Sequence, residues 1–175
     1  MTGRPHESRE RAPLLRDWHL SLVILHRGHW SAARHYESRN FWLGLLAAVS
    51  AAIAGTTAFA TLSESPSTAV RTAIGFFSVL AAVLSALQTY FRSSELAERH
   101  KGAAVKYGFL RRELEQRIES DEGAMSDAKL DDFRVRWDGI DSESPPIPAK
   151  IYGRAVGSAK RTEIEAGASR GQGTA

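Results

Sequence analysis

The sequence predicts an all-α membrane protein: a two-transmembrane helical hairpin with long amphipathic cytoplasmic helices before and after it. Three observations predict it. Charged residues are absent from Phe41 to Ser63 and from Thr72 to Phe91, runs of 23 and 20 residues. As helices these runs reach roughly 34 and 30 Å, about the hydrocarbon thickness of a bilayer. The segment between them, "SESPSTAVR", is short and contains Pro66, which fits a tight antiparallel connection. Polar residues with helical apolar spacing flank both runs. A buried hairpin in a soluble bundle is the alternative, but helices apolar all round need cover on every side, and only two amphipathic stretches remain to supply it.

Composition narrows the function classes. The 175 residues carry 23 Lys and Arg against 20 Asp and Glu, a net charge of +3, enough chain for one functional unit. There is no cysteine, which excludes disulfides, thiolate metal sites and thiol catalysis. Residues 1–12 are polar and expected to be flexible. No short apolar stretch with a small-residue cleavage site precedes the first run, so that run is expected to act as its own insertion signal.

From Pro13 to Ser38, Leu15, Trp18, Leu22, Leu25, His29 and Tyr36 recur at spacings close to three and four, which predicts an amphipathic helix with Pro13 in its first turn. The first span covers about residues 41–62. Gly44, Ala48, Ala51, Gly55 and Ala58 fall on one narrow stripe of it, with Trp42, Leu46, Val49 and Ile53 opposite. In the second span, about 72–91, Ser78, Ala82, Ser85 and Thr89 align, flanked by Gly75 and Ala86, with Phe76, Leu80, Val83 and Leu87 on the far side. Small-residue stripes let helix backbones approach closely in lipid. Packing within the hairpin, contact between protomers and the lining of an assembled pore all remain open for them. Neither span holds an ionisable group, which argues against a proton relay, a voltage sensor or a coupled ion site.

Orientation follows from charge. Arg27, Arg34 and Arg39 precede the first span, and Arg92, Arg99, Lys101, Lys106, Arg111 and Arg112 follow the second, whereas the loop holds Arg71. The positive-inside rule therefore places both termini in the cytoplasm. Phe41 and Trp42 on entry, with Tyr90 and Phe91 on exit, put aromatic rings at that interface.

The second span is expected to run on into a long helix in which Leu96, His100, Ala103, Tyr107, Leu110 and Leu114 repeat, ending near Asp121 with Gly123 as a stop. The two amphipathic stretches bury their stripes most simply against each other. His29 and His100 then lie at similar depth, roughly 14 to 17 Å from the spans on helical rise. Helix packing is the favoured role for them, ahead of titration near neutral pH or metal binding with His26, and no metal site is assigned. Ser126 to Trp137 reads as a further short helix with Leu130, Phe133 and Trp137 on one face and Ser126 as N-cap. "SPPIPAK" imposes an extended turn. Residues 153–175, rich in Gly, Ala, Ser and charge, are expected to be disordered.

No phosphate loop, buried carboxylate pair or Ser/His/Asp arrangement is found, so no catalytic residue and no cofactor is expected. The mixed charges of "SELAERHKGAAVKYGFLRRELEQRIES" fit a solvated helical face. Basic residues near the spans fit anionic headgroups without nucleic acid.

The layout from about Arg11 to Ile151 resembles the SMODS and SLOG associating two-transmembrane effector family, SLATT. The residues that carry the resemblance are Tyr90 and Phe91 followed by Glu98, His100, Ala103, Ala104, Tyr107, Leu110, Arg111 and Glu113, with "PPIP" beyond. It implies that residues 13–152 form an effector domain of bacterial antiphage defence. Such effectors are expected to oligomerise in the inner membrane and permeabilise it, giving abortive infection. The resemblance implies a partner encoded nearby: a cytosolic sensor, a nucleotide-second-messenger synthase or a reverse transcriptase. No recognised sensor module is present, so the trigger would reach the cytoplasmic helices from a partner or as a small ligand between protomers. The competing readings are a non-catalytic membrane anchor or scaffold recruiting a cytosolic partner, and a channel or transporter subunit, which the uncharged spans weaken.

Overall fold

The computed structural model describes residues 5–60, 66–119 and 126–172. Its elements, in chain order, are α1 (Pro5–Ala60), α2 (Thr68–Phe91), α3 (Ser93–Glu119), α4 (Asp127–Glu143) and α5 (Ala149–Gln172). They divide into two compact units, one of residues 1–33 with 98–175, the other of residues 34–97.

The first unit is built from the N-terminal half of α1 with α3, α4 and α5. Its main core holds Leu22, Ala103, Tyr107, Leu110, Leu114 and Phe133, with Leu15, Trp18, Leu25, Leu130, Trp137 and Ile140 packed around them. Each large apolar side chain buried there contributes about 1.5–3 kcal/mol. Trp18 stacks on Phe133 with ring centroids 5.8 Å apart and meets Trp137 edge-on at 6.0 Å, which locks α1 to α4. Across α3, Glu113 accepts from the Arg136 guanidinium of α4 at 2.8 Å in a two-pronged pair. A second cluster joins Ile24 of α1 to Ala155 and Ala159 of α5, with Leu20, Val23 and Val156 alongside.

The second unit is an antiparallel pair formed by the C-terminal half of α1 and by α2. Its polar end is pinned by Gln88, whose Nε2 donates to Asn40 Oδ1 at 3.2 Å, and by the Arg39 guanidinium, which lies 3.8 Å from the centroid of the Phe91 ring. On α1 the inward positions include Leu43, Ala47, Ser50, Ala54 and Thr57, with Gly44 beside them, and on α2 they include Val70, Ile74, Phe77, Ala81, Leu84, Gln88 and Phe91, with Leu80 beside them. Both series step by alternating threes and fours, the 3.5-residue repeat of coiled-coil packing. Large side chains of α2 therefore face small ones of α1.

Several boundaries differ from the sequence-based expectation. The amphipathic helix and the first apolar run are one helix, and it starts at Pro5, inside the segment expected to be flexible. Nothing between Ser38 and Phe41 breaks a helix, and residues 7–12 (ESRERA) are mostly strong helix formers. Pro13 lies inside the helix instead of in its first turn. Conversely, α2 does not run on into α3. Arg92 adopts φ 45° and ψ 37°, a left-handed conformation. The break is one residue long, because Leu96 N–H already donates to the Arg92 carbonyl at 3.1 Å. Ser93 and Ser94 follow, residues whose hydroxyls compete with helical backbone bonding, and Arg92 pairs with Glu95 one turn on. The stop expected at Gly123 lies outside the described residues.

Ser126 occupies the N-cap position of α4, but its side chain makes no capping hydrogen bond. The helix continues six residues past Trp137 to Glu143, since Gly139 alone does not end it and the first proline is Pro145. The tail expected to be disordered from residue 153 is instead helical to Gln172. Its low bulk hides a flat contact face: Ala155 and Ala159 are buried, and Arg27 donates to the hydroxyls of Ser158 and Thr162 at 3.1 and 3.2 Å. Ile147, in the proline segment before α5, closes over Gly28 so tightly that a Cβ there would sit 2.8 Å from the isoleucine Cδ1.

Candidate functional site

Of the small-residue stripe assigned to the first span, Gly44 faces the intrachain seam. A Cβ on it would lie 3.2 Å from Gln88 Nε2. Ala48, Ala51, Gly55 and Ala58 are exposed, and a Cβ on Gly55 would meet nothing within 4 Å. Ser78, Ala82, Ser85 and Thr89 are exposed as well, as are Gly75 and Ala86. Of the readings left open for these two stripes, packing of one against the other within the hairpin is not what this arrangement has. The seam runs one residue earlier on α1, about 100° round the helix, because α2 presents Ile74, Phe77 and Leu84 and needs small neighbours there. Leu80, expected on the outer face, is half-buried.

The outer faces of this pair are apolar. Trp42, Leu46, Val49 and Ile53 on α1, with Phe76, Val79, Val83 and Leu87 on α2, are between 36 and 64 % exposed. Four threonine hydroxyls in the same helices are satisfied locally. Thr56, Thr57, Thr72 and Thr89 each donate to a carbonyl four residues earlier in the chain, at 2.8, 2.7, 2.9 and 3.2 Å. Such back-bonding gives these four hydroxyl protons a partner without water. Among the described residues, two stretches are long and apolar enough to cross a membrane.

In the first unit, Trp18, Leu22, Leu25 and His29 of α1 share one interior with His100, Tyr107, Leu110 and Leu114 of α3. Tyr36 and Leu96, assigned to the same stripes, fall in the second unit and are half-buried. His29 Nδ1 and His100 Nδ1 lie 3.0 Å apart, and the two residues are 2 % and 1 % exposed. One imidazole donates and the other accepts, so at this contact the pair holds a single proton while both rings are neutral. Burial, then the neighbouring His100, pulls His29 down to about 4, and burial lowers His100 in the same direction. The His29 ring stacks on Tyr107 with centroids 5.2 Å apart. The Tyr107 hydroxyl donates to Asp141 of α4, and burial, followed by that bond, raises its pKa.

His26, one turn earlier, faces Gly108, where a Cβ would lie 3.2 Å from its ring. Its Nδ1 is buried without a hydrogen-bond partner among the described residues. Burial lowers its pKa first, then Arg111, Arg112 and Arg27, against Glu115. The three histidines do not converge, and no cluster of three or more potential metal ligands occurs among the described residues.

A cleft of about 840 Å³ opens in this unit between α1, α3 and α5. Its floor is Leu20, Val23, Ile118 and Ala159, and its rim carries Arg16, Arg27 and Arg111 against Glu115, Glu119 and Glu163. Glu115 is already engaged by His19 at 2.8 Å and by Arg111 at 3.5 Å. Opposite charges in equal number give this cleft no preference for an anion or a cation.

Sequence reasoning passed over Asn40, Gln88, Asp141 and the α5 contact face. Asn40 and Gln88 had a readable signal, as amides at the edge of and inside uncharged runs. Asp141 had none, being one acid among many. No protein-family profile matches this chain, and comparison with curated proteins and with solved structures returns no match.

Proposed function

We propose that this protein is a non-catalytic effector of the bacterial inner membrane, which oligomerises through its paired apolar helices and opens or disrupts the bilayer when a partner acts on its cytoplasmic helices. The observation that carries the membrane reading is the outward apolar surface of α2, on which Phe76, Val79, Val83 and Leu87 are 36 to 64 % exposed. In water that surface would cost about 25 cal/mol for each Å² exposed, whereas lipid covers it without cost. Arg34, Arg39 and Arg92 at one end, against Arg71 at the other, support cytoplasmic termini.

The effector reading rests on the SLATT-like pattern from Tyr90 to Glu113. It draws further support from the small faces of Ala48, Ala51, Gly55 and Ala58 and of Ser78, Ala82, Ser85 and Thr89. Apart from Ala58, these positions lie exposed outside the intrachain seam, where a neighbouring copy would reach them. The partner in this reading is a cytosolic sensor, a nucleotide-second-messenger synthase or a reverse transcriptase. The test is induced expression alongside the cognate activating system, following membrane potential and exclusion of a DNA-binding dye. Rapid depolarisation that Ala51→Leu or Ser85→Leu suppresses is the expected result. Unchanged potential and dye exclusion would refute the effector reading, while recovery of the protein in the membrane fraction would keep the scaffold alternative.

A further inference from the structure

We infer that Arg39, stacked on Phe91, is a binding site for the headgroup phosphate of an anionic phospholipid. The inference rests on the membrane reading above and adds to it a lipid class and a residue. Arg39 sits two residues before the apolar run begins, and its guanidinium carbon lies 3.8 Å from the Phe91 ring centroid. Stacking on a ring face uses the π surface of the guanidinium and leaves its N–H edges pointing away from the ring. Among the described residues those edges have no carboxylate partner. The acids closest in sequence are Glu37 and, beyond the helix break, Glu95, which Arg92 holds.

The surroundings fix the level of the site. Asn40, next in the chain, accepts from Gln88, so α1 and α2 are tied to each other about one turn from Phe91. Phe41, Trp42 and Tyr90 project outward beside it, with Tyr90 80 % exposed. Phe41 and Trp42 pack edge to face, as do Tyr90 and Phe91. Amphipathic rings at one level mark where acyl chain gives way to headgroup. A planar, permanently charged fork held at that level matches the two free oxygens of a phosphodiester. A zwitterionic lipid offers the same phosphate with a cation tethered to it, so an anionic lipid should be preferred. One basic contact near the surface corresponds to about fivefold in association.

The test uses the full chain reconstituted into phosphatidylcholine vesicles carrying trace spin-labelled phosphatidylglycerol or spin-labelled phosphatidylcholine. The fraction of motionally restricted lipid is read by electron paramagnetic resonance. Phosphatidylglycerol should associate about fivefold more strongly at low salt. Arg39→Gln should bring the two lipids close to parity, and Phe91→Leu, which keeps the charge and removes the platform, should weaken the preference part of the way. Equal restriction of both lipids by the wild-type chain would overturn the inference and leave the membrane reading standing, as would a preference that survives Arg39→Gln. Restriction of neither lipid would overturn both.

Discussion

Acidification should loosen the core around Leu22 and Tyr107, and the His29–His100 contact sets the range. The folded chain holds His29 at about 4, against an ordinary value of 6.5. A histidine whose folded pKa lies below its unfolded one contributes stability that is complete above pH 6.5 and is lost as pH falls toward the folded value. The gap corresponds to about 3 kcal/mol once both states are protonated, and to about 2 kcal/mol at pH 5. His100 and His26 are lowered too, so they act in the same direction. Glu113 titrates in a separate window: its bonds to Arg136 hold it at about 2, so its contribution survives until pH drops below about 4.5. Urea unfolding of the full chain in mild detergent, read by tryptophan fluorescence from the Trp18 and Trp137 core, should show the loss between pH 6.5 and 4.5. Exchange protection of α3 amides around Tyr107 should fall with it. In His29→Gln, which keeps a polar group but cannot titrate, the slope in that window should be at most half the wild-type slope. Equal stability at pH 7.5 and 5, or a His29→Gln variant as acid-sensitive as the wild type, would refute the account.

Phe133→Ala should cost about 3–5 kcal/mol, since the ring is fully buried against Trp18 and Trp137; the same urea titration measures it. Tyr107→Phe removes a single hydrogen bond to Asp141 and should cost only about 1 kcal/mol. Gly44→Leu should lower the thermal stability of the helix pair, because the Gln88 side chain occupies the space a Cβ needs, whereas Gly55→Leu should leave it unchanged. Gln88→Leu, which leaves Asn40 unbonded at the end of the pair, should cost about 1 kcal/mol.

Helix identity was legible wherever apolar spacing was strong, as in Leu15 to Tyr36 and Leu96 to Leu114, because burial of one face decides those segments. The α5 helix was hidden for the opposite reason. Its contact residues, Ala155 and Ala159, carry almost no hydrophobic signal, and the hydroxyls that bind Arg27 look the same in a coil. The break at Arg92 was equally unreadable, since a non-glycine residue in the left-handed region is held by its surroundings and announces nothing in composition. The His29–His100 contact was approachable from helical rise alone, but its Nδ1–Nδ1 geometry depends on how α1 and α3 are rotated about their axes.

Rotation also decides what the small-residue stripes are for. Counting at 100° per residue placed Gly44, Ala48, Ala51, Gly55 and Ala58 on one face, and Ser50, Ala54 and Thr57 lie only one step round the helix. Both sets suit close approach, so spacing could not choose between them. The choice comes from α2. Ile74, Phe77 and Leu84 turn inward, and bulky side chains need a groove, which Ala47, Ser50 and Ala54 form. Small-on-small packing would have brought the two backbones closer but left those three side chains facing outward. With the seam so occupied, Ala48, Ala51 and Gly55 lie outside it and exposed, as do Ser78, Ala82, Ser85 and Thr89. In a bilayer, where a neighbouring helix gains on lipid chiefly through close contact, a smooth face left outward favours a second copy of the chain.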